Sequence, residues 1–391
     1  MSNMVPMARQ LVWPHVVRPR IALVYLDLNH YIFLARTVKG DTSTPAGYER
    51  LLEAAVRAYQ EQRALFPLSG EHLFEALAIK DPAQRSDLAD VMETLSGFRY
   101  LLGRPQVAQL EIEAGIEAML QESPPAPAIP LVGNSFGWPF GMVGGLEIVD
   151  NTGRDASTAA RREMGVHEYE ECLRRANYTV ERAMLEGPPD DRIEELRANG
   201  YAPETAREGH ASRLAFELDL SHKLQAEPRW RKGRLRDVVS AREILHEWSD
   251  TFNRLQDQRT EAGRTPFNPS DNDLRNFMAA LPHVQVAISL KTAHHRNPHH
   301  RWKTNDITDI DAMSVAFTYC DAVFTDKAIR SALANSRELR QIQTHLPRTP
   351  VDLADWLDTL PHHPAPWLLI PASRRHGQPT FPTTATSRTQ Q

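Results

Sequence analysis

The most continuous apolar surface in the chain lies at residues 309–320, where Ile310, Ala312, Met313, Val315, Ala316 and Phe317 leave a helix almost no solvent-facing side. Polar residues on such a helix are informative. Asp311, Ser314 and Thr318 recur at i, i+3 and i+7, which makes one narrow stripe expected to face water. Asp309 points elsewhere. It stands three, four and seven residues before Ala312, Met313 and Ala316, so it heads the buried face, where an unpaired carboxylate costs several kcal/mol or is forced neutral. The plainer reading of the same acids is capping, with Asp306 as N-cap and Asp309 in the first turn.

Two β-prone runs end on aspartates. Residues 21–26 are continuously apolar, as a strand covered on both faces would be, and Asp27 follows at once. Residues 322–325 form a shorter run that stops at Asp326. In an open parallel sheet the carboxyl ends of strands carry the site. After the first strand, Thr44 and Pro45 resemble the N-cap and first position of a helix carrying Tyr48, Leu51, Leu52, Ala55, Val56 and Tyr59 at helical spacing. An apolar run at 64–68 then completes a βαβ unit, with Pro67 weakening its second strand. Ser69 or Gly70 opens a helix holding Glu71, His72 and Glu75. Charged helices follow at 83–96 and 106–120, the latter with Glu111 and Glu113. The pattern is that of an α/β chain.

The stretch 121–154 is rich in Pro and Gly and is expected to be irregular. Residues 155–281 read as a highly charged helical insertion, with segments near 155–186, 191–208, 211–226 and 236–258 and Ser270 capping a last one. A short helix is expected at 351–360. The polar tail 373–391 has the composition of a disordered segment.

With 391 residues, 41 % apolar and 24 % charged, the chain can bury a large core, and its composition is that of a soluble globular protein. No apolar run approaches the roughly 20 residues needed to span a bilayer, and the N-terminal residues lack the apolar core of a signal peptide. Cys172 and Cys320 supply neither a disulfide framework nor a zinc spacing, which suits a cytoplasmic protein. A net charge of −5 gives no global sign of nucleic-acid binding, so such binding requires a local patch. One is present at 291–303, KTAHHRNPHHRWK, where Lys291, Arg296, Arg301 and Lys303 accompany Trp302. The pairs His294/His295 and His299/His300 belong to no zinc signature, and the segment suits a phosphate backbone better than a metal.

Asp27 and Asp326 at strand ends, Asp309 on a buried helix face and an acid from the Glu71–Glu75 turn make a convergent group of four carboxylates. Such a group cannot stay dry and fully ionised without a cation. Mg²⁺ or Mn²⁺ on a few carboxylates is the usual support for phosphoryl chemistry.

These residues resemble a PIN-like domain. The family pattern has an Asp after the first strand, a Glu in an early helix, an Asp opening a helix of the form D-x-x-x-x-x-x-A and a last Asp just after a strand ending in Thr. The matching positions are Asp27 in YLDLN, Glu75 in SGEHLFE, Asp309 in DIDAMSVA and Asp326 in FTD, with Glu71 and Glu111 as alternatives to Glu75. The resemblance covers residues 21–120 and 282–345. It implies a three-layer α/β/α core around a parallel sheet and a metal-dependent nuclease using Asp27, Glu75, Asp309 and Asp326. The substrate would be RNA more readily than DNA, with homo-oligomerisation left open. One competitor is a non-catalytic RNA-binding or interaction protein on the same scaffold. Another, a haloacid-dehalogenase-like phosphotransferase, would need a second Asp at Asn29 and Thr or Val at Tyr31.

Overall fold

In the computed structural model, which describes residues 11–123, 128–142, 148–198 and 201–362, the strand Ala22–Leu26 is central. Leu23, Val24, Tyr25 and Leu26 are fully buried, as cover on both faces demands. Ala64–Leu65 and Ala322–Phe324 pair with it on either side, both parallel, with Ala22 opposite Ala64 and Leu26 opposite Phe324. Single bridges extend the sheet, from Ala322 to His345 on one side and from Leu68 to Tyr100 on the other. There Tyr100–Leu101 meets Val132–Gly133 in antiparallel register. The α/β alternation is therefore present, although helix dominates and each strand is short.

The helices Leu28–Val38 and Tyr48–Gln60 connect the first two strands of this sheet. The second begins later than Thr44 and Pro45 suggest. Gly47 intervenes at φ +95°, a left-handed conformation that an L side chain resists, and the helix starts after it. Ser69 caps Gly70–Ala76 as expected: its hydroxyl accepts the His72 N–H at 3.4 Å while its own N–H reaches His72 Nδ1 at 3.0 Å. Pro82–Ser96, Arg104–Leu120 and Pro350–Thr359 lie within two residues of their expected bounds.

The 129–142 stretch is irregular but anchored, because the Glu181 carboxylate receives the Tyr100 hydroxyl at 2.7 Å and the Phe136 N–H at 2.9 Å. In the insertion, Pro203–Ala226 is one continuous helix across the break expected near 209. Leu235–Glu243 runs through a π-helical turn, Ile244–Trp248, into Ser249–Glu261. Ser270 caps Asp271–Ala280. Trp248, Phe267 and Phe277 pack with Ile112 and Ile116 of Arg104–Leu120 and Val284 and Ile288 of Pro282–Arg296, forming a second core beside the one around the sheet. The tail 373–391 lies outside the described residues.

The helix at 309–320 is Thr304–Tyr319, preceded by Lys303. Asp306 is therefore in the first turn rather than at the N-cap, and its carboxylate accepts the Lys303 N–H at 2.6 Å. The stripe of Asp311, Ser314 and Thr318 does not face water. Arg104–Leu120 and Pro203–Ala226 cover it, and all three residues are buried. Ser314 and Thr318 donate to carbonyls of their own helix, while Asp311 lies 3.0 Å from Arg104 and 2.7 Å from Arg213.

Asp311 belongs to a buried ion cluster that also corrects the role expected of Lys291. The Lys291 ammonium is buried 2.9 Å from Glu217, 2.7 Å from Glu243 and 3.0 Å from Glu247, so it cannot serve as a phosphate contact. Arg104 adds contacts to Glu243 at 2.6 Å and Glu247 at 3.1 Å. Replacing Lys291 by Met removes one cation from among three buried carboxylates and should cost about 3–5 kcal/mol. The urea unfolding midpoint reads this loss, and Arg296→Ser, at an exposed position of the same helix, is the control. An unchanged midpoint for Lys291→Met would refute the structural role given to the cluster.

Candidate functional site

Parallel pairing of Leu26 with Phe324 puts the next residues of both strands side by side. The Asp27 N–H donates to the Phe324 carbonyl at 3.0 Å, and the Thr325 hydroxyl donates to Asp27 Oδ2 at 3.2 Å. Each strand then turns directly into a helix, Leu28–Val38 after Asp27 and Lys327–Asn335 after Asp326. Asp326 caps its helix through Oδ1, which accepts the N–H groups of Ala328 at 2.5 Å and Ile329 at 3.1 Å. Two carboxylates therefore stand at adjacent strand ends beside positive helix termini, which favour negative charge there.

Asp309 approaches from Thr304–Tyr319. Between Ile307 and Tyr319 it alone is partly exposed, while every other residue is buried, so the opening in the molecular surface lies at this acid. Glu75 comes from Gly70–Ala76 and is partly buried. The electrostatics show that the four acids share one region. Burial pushes the Glu75 carboxyl up to about 8, with Asp27, Asp309 and Glu71 adding repulsion. Burial, then Asp27, Asp326 and Asp306, pushes Asp309 up to about 7. Asp27 is raised by burial and by Asp326, against the hydrogen bond from Thr325.

Asp311, two positions from Asp309, shows the opposite balance. Burial alone would raise its pKa, but the guanidinium groups of Arg213 and Arg104 hold it below the ordinary value.

Of the two alternatives to Glu75, Glu111 is structural. Fully buried, it accepts the His283 N–H at 3.1 Å and the Tyr319 hydroxyl at 2.5 Å and pairs with His283 Nδ1 at 2.7 Å. Glu71 lies between the two clusters, its carboxyl pushed up to about 6 by burial and by Asp311. Among the described residues, the one set of three His, Cys, Asp or Glu side chains with ligand atoms mutually within 4.8 Å is His294, His300 and Asp306. The four acids thus border a wider opening. Their donors are all carboxylate oxygens, the ligand type that Mg²⁺ or Mn²⁺ accepts.

The basic segment is divided. Arg296, Arg301 and Lys303 are exposed. Trp302 is buried against His294, His295 and His300 and offers no free face for stacking a base. Residues that the sequence reading passed over join Arg296 in a cavity of about 880 Å³: Arg231, Arg236 and Arg337, against Asp237 and Glu338. Ala328, in the first turn after Asp326, also lines it, so the cavity starts beside the acid site. The signal for Arg231 and Arg236 was the basic run at 229–236, RWRKGRLR.

Comparison with protein-family models, curated proteins and solved structures found no match. Among the described residues no helix is long and apolar enough to cross a membrane.

The acid site has a consequence for stability. Because the folded pKa values of Glu75 and Asp309 lie above those of the unfolded chain, the folded state binds extra protons between about pH 4.5 and 8. In the presence of a chelator, melting temperature should therefore fall as pH rises through this window. Glu75→Gln should flatten the slope. A wild-type profile that rises across the window would show that these acids are compensated in a way the geometry does not reveal.

Proposed function

We propose that this chain is a metal-dependent nuclease with a PIN-like core, hydrolysing phosphodiester bonds in RNA rather than DNA. The observation that carries this reading is the group Asp27, Glu75, Asp309 and Asp326, drawn from two strand ends and two helices, in which the charges acting on Asp27, Glu75 and Asp309 are those of other acids. A fold does not retain several mutually repelling, half-buried carboxylates for stability, and a divalent cation is the partner that hard oxygen donors select. The preference for RNA rests on the resemblance of YLDLN, DIDAMSVA and FTD to that family.

Asp27, Asp309 and Asp326, with Glu75, would hold Mg²⁺ or Mn²⁺. Asp326 is oriented by its helix through Oδ1, which leaves Oδ2 to point at a ligand. Asp27 is oriented by the Thr325 hydroxyl on Oδ2 and by the backbone N–H groups of Leu28 and Asn29. A bound ion would lower the pKa of a water and stabilise charge on the phosphate oxygens. The protein's own cations do the remaining work. Arg296, Arg301 and Lys303 on the surface, together with the arginine-lined cavity beside Asp326, offset the repulsion that four carboxylates exert on a polyanion.

A cleavage screen over single- and double-stranded RNA and DNA with Mg²⁺ or Mn²⁺ tests the proposal. Asp27→Asn and Asp309→Asn should each lower cleavage at least about 100-fold, since loss of even an outer partner of a metal ligand costs 10–100-fold. Neither change should lower the melting temperature in chelator, because each removes repulsion. Cleavage retained in both variants, or absent from wild type on every substrate, would leave a non-catalytic RNA-binding scaffold as the better account.

A companion measurement concerns the basic segment. Replacing Arg296, Arg301 and Lys303 together by Ser should flatten the log–log salt dependence of single-strand binding by up to about 2 units, at roughly 0.7 per lost phosphate contact. An unaltered slope would move recognition to the arginine-lined cavity alone.

A further inference from the structure

Of the four histidines at 294–300, two are already accounted for. His295 is held by Glu217 at 2.8 Å and by Ser221 at 3.3 Å, and His299 is exposed. The other two converge. His294, in the last turn of Pro282–Arg296, and His300, in the loop that follows, stack with ring centroids 4.3 Å apart, and Trp302 packs on both. Asp306, in the first turn of Thr304–Tyr319, faces them. The three side chains offer ligand atoms that lie mutually within 4.8 Å.

We infer that His294, His300 and Asp306 form a binding site for a borderline-soft divalent transition metal of the Zn²⁺ class, separate from the four-carboxylate site. Two features beyond proximity point to a ligand. His294 Nε2 is buried without a hydrogen-bond partner, an arrangement that costs free energy unless something accepts its lone pair or proton. His300 Nε2 lies 3.2 Å from Asp306 Oδ2. Ligand bonds of about 2.0–2.2 Å arranged tetrahedrally put donor atoms about 3.3 Å apart, so this pair already spans one edge of such a site. Asp306 is also pre-oriented, since its carboxylate accepts the Lys303 N–H at 2.6 Å.

The donor set decides the metal. Imidazole nitrogens suit Zn²⁺, Co²⁺, Ni²⁺ or Fe²⁺, whereas an all-oxygen set suits Mg²⁺ or Mn²⁺. With three protein ligands, a fourth position stays open for water or a substrate oxygen. An ion here would tie the end of one helix to the start of the next, one turn before Asp309 on the same helix, and so fix the position of that acid. The inference does not depend on nuclease activity, and a chain that cleaves nothing could still bind the ion.

The test uses the full chain, stripped with a chelator and titrated with Co²⁺, whose visible d–d absorption reports a low-coordinate site with nitrogen ligands, followed by displacement with Zn²⁺. In wild type one equivalent should develop this absorption, whatever Co²⁺ the all-oxygen site takes without it. His294→Gln and His300→Gln should weaken binding at least about 100-fold. Asp27→Asn, in the acid site, and His299→Gln should leave it unchanged. X-ray absorption of the Zn²⁺-loaded wild type, which needs no variant to fold, should show two imidazole ligands. The proposal is overturned by Co²⁺ absorption that survives in both His variants, that is lost in Asp27→Asn, or that is missing from wild type, and equally by a zinc spectrum with fewer than two imidazoles.

Discussion

The parallel register between Ala22–Leu26 and Ala322–Phe324 is the constraint on which the rest depends, because it brings together chain segments 298 positions apart and sets Asp27 beside Thr325 and Asp326. Closing so long a loop costs entropy, although the cost grows only logarithmically with length. Burial of Leu23, Val24, Val323 and Phe324 against helices on the sheet opposes it. Asp321 adds a local lock: its carboxylate accepts the Leu23 N–H at 2.8 Å and pairs with Arg18 at 3.0 Å. A slip of one residue would exchange side chains between the two covered faces and undo the packing on both, so the strong burial of both strands enforces the alignment that the acids need.

The insertion contributes by covering rather than by adding a separate body. Its helices bury the face of Thr304–Tyr319 opposite Asp309, and they do so with charge: Arg213 from Pro203–Ala226 and Glu243 and Glu247 near the π-helical turn meet Arg104, Lys291 and Asp311 from the flanking segments. Such a network is a weak source of net stability, since desolvation offsets most of the attraction. It is specific, however. In this register of the helices three cations and four carboxylates, counting Glu217, are satisfied at once.

Much of the candidate site was legible because burial leaves few options. An apolar strand that ends on Asp, or an apolar helix with an acid at the head of its buried face, announces an uncompensated charge, and Asp27, Asp309 and Asp326 followed from that. What periodicity cannot say is which surface another part of the chain will cover. Asp311, Ser314 and Thr318 share a face as expected, but the groups that bury that face include Arg104 and Arg213, 207 and 98 positions away, too distant for any local pattern. Lys291 was misplaced for a different reason. It stands three and seven residues after Ile288 and Val284 and so continues their buried helical face, a signal that the neighbouring histidines and arginines obscured.

Asp309 and Asp311 show how one helix serves two ends. They are two residues apart, so about 200° separates them around the axis, and each meets a different environment. The inner one is matched by two guanidinium groups and carries a lowered pKa; the outer one meets burial and three more carboxylates and carries a raised one. Compensation is concentrated on the inner face, while the charges acting on the outer acids Glu75 and Asp309 are all those of carboxylates. Compensated and uncompensated charge are thus divided between two faces of Thr304–Tyr319, and pairing of the first with Arg104 and Arg213 fixes the helix on which the second stands.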